Sequence, residues 1–284
     1  MQTRFTDLVG CRLPLQLAVL GGVGTLDLAL AVHEAGGLGM VPWPVPLTSA
    51  PSLVGKGLLV VYAPDTDQVA AGFEGARVAE FFWGHPDPAV VAAGHEAAPL
   101  VSWQVGSAEE AKAAQAAGCD LVVAQGREAG GHVRGRQPLD ELLPAVLAAV
   151  DVPVVAAGGI GSAERVAELL GAGADAVRVG TRFLACPECN THPDYVAALI
   201  AARGDDTTLT EHFDNDGAWP APVRVLRQAL DNAAGAGNRS TMPPTRGASS
   251  PMSMACYAGM SVDFVTEVKP AREVVAELTT LLRR

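Results

Sequence analysis

The sequence predicts an α/β fold, a (β/α)8 TIM barrel with a smaller, mostly helical C-terminal addition. Three observations carry this prediction. Eight short runs of apolar and β-branched residues recur between positions 15 and 179, most of them followed by a stretch with helical patterning. Several of these runs end on glycine, as strand-to-helix turns do. After Leu184 the alternation stops and helical segments mix with polar, irregular ones. Parallel neighbours require crossover connections, and eight such units suggest closure into a barrel, with an open doubly wound sheet as the alternative.

The elements follow in order. Residues 15–20 read as a strand, Gly21-Gly22-Val23-Gly24 as a turn, and residues 26–35 as an alanine- and leucine-rich helix that stops at Gly36-Gly37. A second strand over 38–41 is ended by Pro42 and Pro44, and the proline-bearing loop to Pro51 is too broken for a long helix. Strand three covers 58–62 and precedes a short helix near 67–72; strand four covers 77–82 and precedes Trp83-Gly84-His85-Pro86 and a helix over 89–94. Residues 100–105 form strand five. Ser107 then stands at an N-cap with Glu110 at capping-box spacing, before a helix over 111–117 and its terminal Gly118. Strand six, 120–124, runs into a glycine-rich loop, beyond which 139–150 is helical. Strand seven is 153–157, Ser162 caps a helix that ends at Gly171, and strand eight is 175–179.

Beyond the barrel, residues 192–202 read as a helix, 207–219 as polar and irregular, and 223–232 as an amphipathic helix. The stretch 233–253 is rich in Gly, Pro, Ser and Thr and reads as a lid-like loop. The last helix, 271–282, presents Val274, Val275, Leu278, Leu281 and Leu282 at a spacing that packs on the barrel. The chain thus divides into a barrel, residues 1–222, and a helical C-terminal segment, residues 223–284.

Bulk properties narrow the functional classes. With 284 residues, 49% of them hydrophobic, the chain has ample material for a core. Its net charge of −11 argues against nucleic acid and anionic membrane surfaces as partners. The five cysteines, at 11, 119, 186, 189 and 256, form an odd set without framework spacing, so a cytoplasmic setting is expected. Cys186-Pro187-Glu188-Cys189 has redox or zinc spacing, but no second pair completes a metal site, and two unrelated thiols are the simpler reading. Met1-Gln2-Thr3-Arg4-Phe5-Thr6-Asp7 lacks the apolar run of a targeting segment, and no stretch approaches a membrane span. A homo-oligomer is compatible with all of this.

The motifs that carry chemistry lie after strands six, seven and eight. Gly158-Gly159 and Gly180-Thr181 follow strands seven and eight, where barrel loops commonly hold phosphate with backbone N–H groups. The alternative is that these glycines only make tight turns. His132, in Ala124-Gln125-Gly126-Arg127-Glu128-Ala129-Gly130-Gly131-His132, faces the same mouth and can take a proton from a carbon acid or donate one. Its alternative is a histidine that hydrogen-bonds the loop. Of the other histidines, at 33, 85, 95, 192 and 212, only His85 also points to the mouth. Glu128 invites an acid/base pair with His132, or else caps or braces the loop. Arg127, Arg134 and Arg136 could draw in an anionic substrate, although such loop arginines are more often solvated.

Taken together, Gln125-Gly126 with Glu128-Ala129-Gly130-Gly131-His132, the stretch Val152-Pro153-Val154-Val155-Ala156-Ala157-Gly158-Gly159-Ile160, and Gly180-Thr181-Arg182-Phe183-Leu184 resemble the nitronate monooxygenase family. Arg4-Phe5-Thr6, Gly36-Gly37-Leu38-Gly39 and Tyr257-Ala258-Gly259 extend the resemblance over nearly the whole chain. It implies a flavin-dependent barrel that binds FMN non-covalently. By position, Gln125, Gly130 and Gly131 would contact the flavin, while Gly158, Gly159 and the segment Arg178-Val179-Gly180-Thr181 would hold its phosphate. His132 would be the active-site histidine. The implied chemistry binds or deprotonates a small alkyl nitronate, passes electrons to flavin and uses dioxygen to yield a carbonyl compound and nitrite.

Three departures touch the cofactor region. The family usually has Pro-Met where this chain has Ala18-Val19, an asparagine in strand three where it runs Leu58-Leu59-Val60-Val61, and a glutamine where Arg178 stands. Two other readings stay open. One is an FMN-dependent enoyl-acyl-carrier-protein reductase, which has the same Gly-Gly-His loop and passes hydride from a nicotinamide cofactor. The other is a non-redox barrel that binds a phosphorylated ligand.

Overall fold

Strands that are apolar at nearly every position must be covered on both faces, and this is how the chain is built. The computed structural model describes residues 1–43, 45–47, 54–60, 65–218 and 221–283. Nine strands fall in its first part: β1 (Leu15–Leu17), β2 (Met40–Pro42), β3 (Gly55–Val60), β4 (Val78–Trp83), β5 (Leu100–Val105), β6 (Leu121–Gln125), β7 (Gly131–His132), β8 (Val154–Ala157) and β9 (Ala176–Val179). All but β7 belong to one parallel sheet, ordered β1-β9-β8-β6-β5-β4-β3-β2. The sheet closes on itself through a parallel bridge between Gln16 and Leu38, where the Leu17 N–H donates to the Leu38 carbonyl over 2.9 Å. The predicted (β/α)8 barrel is therefore the fold. The ends of strand three and of the proline loop, at 61–62 and 48–53, lie outside the described residues.

The crossover helices are α2 (Leu26–Ala35), α3 (Thr66–Phe73), α4 (Pro88–Ala97), α5 (Ala108–Ala117), α6 (Leu139–Leu147) and α7 (Ala163–Gly171). Their starts obey local chemistry. Ser107 accepts the Glu110 N–H at 3.2 Å and Ser162 accepts the Arg165 N–H at 3.2 Å. Glu110 does not complete the capping box. Its carboxylate reaches past the cap to the Gly106 N–H, at 2.8 Å, and pairs with Arg134.

The helix at the amino terminus has no counterpart among the predicted elements. Thr3 and Thr6 cap a helix, α1 (Arg4–Val9), ahead of the first strand. Arg4 grips Asp175 through two bonds of 2.9 and 2.7 Å, and Arg77 donates to the carbonyls of Val9 and Leu8 at 2.8 and 2.9 Å. Asp175 and Arg77 stand just before β9 and β4, so α1 covers the amino ends of the strands. Phe5 is fully buried there, and the carboxyl ends are left for the site.

The C-terminal addition departs from expectation. Residues 223–232 are predicted as one helix, but Val223–Leu226 forms a strand, β11, and the helix begins only at Arg227. The predicted irregular segment likewise opens on a strand, β10 (Thr207–Thr210). Val-Arg-Val-Leu and Thr-Thr-Leu-Thr have β-branched residues that favour strands once a partner is present. The partner is the barrel loop itself: β10, β11 and β7 make a three-stranded antiparallel sheet. A boundary between residues 222 and 223 cuts this sheet at the start of β11. Helices α8 (Pro193–Ala201), α9 (Arg227–Ala236) and α10 (Ala271–Leu278) complete the chain, and α10 packs against α2 and α7. Among the described residues, no helix is long and apolar enough to cross a membrane.

Because Phe5 is sealed under the barrel, Phe5→Ala is expected to cost about 3–5 kcal/mol in urea unfolding. A loss below about 1 kcal/mol, the scale of an ordinary surface change, would show that α1 is not part of the core.

Candidate active site

The carboxyl ends of the barrel strands open into a cavity of about 630 Å³. Parallel register sets its wall: Gln125 lies level with Ala157, and Ala157 with Arg178. The loops after β6, β8 and β9 therefore rise side by side, and all three of the sequence motifs reach one cavity.

Backbone contacts place His132 from two sides. The Gln125 amide donates to the His132 carbonyl at 2.9 Å and accepts the Arg134 N–H at 3.1 Å. From the other side, His132 pairs with Val223 and Gly131 with Arg224, while the Val133 N–H donates to the Pro222 carbonyl at 2.9 Å. The glycine-rich loop after β6 thus carries a short strand held from both sides. The imidazole lines the cavity between two aromatic rings, Trp83 at 6.3 Å and Tyr257 at 5.9 Å between centroids. Burial lowers its pKa from the usual 6.5 to about 4, so the ring is neutral near pH 7.

Both rings are themselves held. Trp83 has φ of 89°, a left-handed conformation that bulky residues avoid. Arg134, paired with Glu110 at 2.9 Å, lies 5.4 Å over the indole. Tyr257 donates to the Thr241 carbonyl, and Tyr195 on α8 donates to the Tyr257 carbonyl, so this wall joins three parts of the addition.

The glycine lip has two geometric requirements. Gly158 and Gly159 turn at φ of 111° and 69°, which other residues rarely adopt. Gly130 packs so closely on the neighbouring loop that an added Cβ would stand 2.5 Å from the Gly259 nitrogen. At Gly131, in contrast, the Cβ position meets open space. Thr181 accepts the Gly259 N–H at 3.0 Å, which leaves its hydroxyl hydrogen to donate. Gly180 and Thr181 line the cavity; Val179 is buried and does not.

Arg178 lies in the floor. Its guanidinium donates to Glu80 and Gln104, so it is committed below the lip rather than at it. Glu80 also accepts from Gln16 at 3.2 Å and Ser102 at 3.4 Å, and the two charged side chains are only 4% and 3% exposed.

Other candidates resolve into structural roles. Glu128 accepts the Leu139 N–H at 3.1 Å and caps α6, so bracing is its role. The Arg127 carbonyl is held by Arg224 at 2.9 Å, and Arg136 is exposed. His85 is exposed and off the cavity. Cys186 and Cys189 are buried free thiols whose pKa values burial raises. Sequence reasoning missed Trp83, Glu80 and Gln104 as parts of the site. Glu80 did leave a signal, a lone charge inside Val78-Ala79-Glu80-Phe81-Phe82.

A closed barrel with these loops at its mouth defines a (β/α)8-barrel protein with a ligand-sized site at the carboxyl ends of its strands. Residues 68–280 match the family model for nitronate monooxygenase, and the chain belongs to that family. It is 32% identical to a nitronate monooxygenase of Pseudomonas aeruginosa, with 81% of this chain and 82% of that protein covered. It is also 34% identical to a Rhodococcus jostii enzyme, a 5-hydroxy-7a-methyl-1-oxo-octahydro-1H-indene-4-carboxyl-CoA dehydrogenase, with 82% and 68% covered. Among solved structures it resembles FabK from Thermotoga maritima, with a TM-score of 0.82, 29% identity and 99% and 96% coverage. A nitroalkane oxidase from Streptomyces ansochromogenes superposes with a TM-score of 0.78 at 28% identity, with 98% and 97% covered.

The depressed His132 pKa has a stability consequence. The unfolded chain takes a proton near pH 6.5 that the folded site refuses until about pH 4, so stability falls with pH across that window. Between pH 7 and 5 this amounts to about 2 kcal/mol, and His132→Gln is expected to remove that part of the pH dependence in denaturant titrations. Equal slopes for both proteins would show that the ring titrates as it does in water.

Proposed function

We propose that the chain is an FMN-dependent oxidoreductase that converts alkyl nitronates, with dioxygen, to carbonyl compounds and nitrite. The observation that carries the proposal is His132, a partly buried, neutral imidazole held by backbone in the wall of a ligand-sized cavity. Family membership and the Pseudomonas aeruginosa relative support the substrate class.

The residues present fit FMN. The open Cβ position at Gly131 and the Gly158-Gly159 turn leave backbone exposed to a ligand, and the Thr181 hydroxyl has a hydrogen to donate. The N–H groups of Gly158, Gly159, Gly180 and Thr181 would hold the phosphate, with Gln125, Gly130 and Gly131 beside the flavin. When bound, FMN would accept electrons from the substrate and pass them to dioxygen.

What the chain itself does follows from its geometry. Near neutral pH the neutral His132 ring has one nitrogen free to accept: it can take the α-proton of a nitroalkane or hydrogen-bond a protonated substrate, while its other nitrogen carries an N–H. Trp83 and Tyr257 keep water from the ring. Five free cysteines support a reducing, cytoplasmic setting.

A second reading is oxidoreduction of an acyl thioester with a nicotinamide cofactor, favoured by the carboxyl-CoA dehydrogenase relative. The purified protein separates the two. Yellow colour, a flavin spectrum and oxygen uptake with a nitronate are expected, whereas consumption of NADH or NADPH without nitronate turnover selects the second reading. A protein that binds no added FMN overturns both. His132→Ala is expected to lower nitronate turnover about 10²–10⁴-fold while flavin stays bound. In the native enzyme turnover should hold from pH 7 to 5 and fall through about pH 4, as the ring gains its proton. An inflection near the ordinary histidine value would count against a desolvated base.

A further inference from the structure

The interior of a (β/α)8 barrel is ordinarily filled by branched apolar side chains. Here its upper layer is polar: Gln16, Glu80, Ser102, Gln104 and Arg178 are all buried and share one hydrogen-bond network. Among the described residues that line the cavity, Arg178 is the one lysine or arginine and Glu80 the one aspartate or glutamate. The network is also incomplete. Among the described residues, the Arg178 Nε–H has no acceptor, and the Oε1 of Gln16, its register partner on β1, has no donor.

A buried ion pair is a weak source of stability, because the desolvation of two ions offsets their attraction. This one lines the cavity, and in a water-poor site its field is little screened. We infer that Arg178 and Glu80 act as opposed charges that set the reduction potential of a flavin bound in this cavity. The inference rests on the flavin reading of the site.

The chemistry fixes the sign. Oxidised flavin takes up two electrons and one proton to give the reduced anion, so one negative charge is formed in the cavity. The guanidinium favours that charge and the carboxylate opposes it. Removing either leaves the other uncompensated, so the two substitutions must act in opposite directions.

The test is a redox titration of the purified holoprotein, with electrons supplied from an electrode through mediator dyes and the flavin spectrum as readout. Arg178→Gln is expected to lower the two-electron reduction equilibrium about tenfold or more, near 30 mV, and Glu80→Gln to raise it by a similar factor. Arg178→Lys, which keeps the charge, is expected to stay close to the native value. If Arg178→Gln fails to fold around the unpaired carboxylate, Glu80→Gln compared with the Glu80→Gln/Arg178→Gln double variant carries the test, since the second substitution must bring the potential back down. Shifts of the same sign, or none, in variants that retain flavin overturn the inference alone. A native protein that holds no flavin overturns the inference together with the proposed function.

Discussion

The antiparallel pairing of Gly131 and His132 with Arg224 and Val223 is the contact on which the rest of the site depends. Two residues of a barrel loop become a strand because a distant segment supplies the other edge. With the Gln125 amide holding the His132 carbonyl from the barrel side, the backbone has no freedom left at the position where glycines would otherwise allow it. The ring is consequently carried to one place, between Trp83 and Tyr257. Desolvation in that place lowers its pKa and keeps the ring neutral.

The same pairing explains why the C-terminal addition belongs to the active site. Barrel loops alone supply the glycine lip and Trp83. The addition supplies Tyr257, the Thr241 segment that holds it, and Gly259, which packs on Gly130 and donates to Thr181. Each of these touches a loop at the carboxyl ends of the strands. A carboxyl-CoA dehydrogenase and a nitronate monooxygenase are both similar to this chain, so reaction type must be set by the lining rather than by the barrel. In this chain the lining has a neutral roof at His132 and a charged floor at Arg178 and Glu80.

Much of this was legible in the order of residues, and the reasons differ by element. Strands flanked by glycine turns and capped helices are local signals, so the eight units and the Ser107 and Ser162 caps could be read directly. The glycine motifs and His132 could be assigned to one mouth because parallel topology puts all the strand ends together. Helix α1 escaped because its worth lies in Arg4–Asp175 and in the burial of Phe5, contacts with residues far along the chain. Val223–Leu226 was misread as helix for the same kind of reason: its apolar alternation is short, and the edges it pairs with come from residues 131–132 and 207–210. Glu128 could be narrowed only to capping or catalysis until α6 was seen to begin under its carboxylate.

By itself, then, the sequence determined the class of fold, the family and the set of loops that form the site, because periodicity, turn chemistry and motif order are written locally. Only the tertiary structure decided that the histidine loop is a strand, that its ring is neutral, and that Arg178 faces Glu80 instead of the lip. Pairing partners, burial and the match of one buried charge to another depend on residues about a hundred positions apart, such as Arg178 and Glu80. Such distances close only when the barrel does.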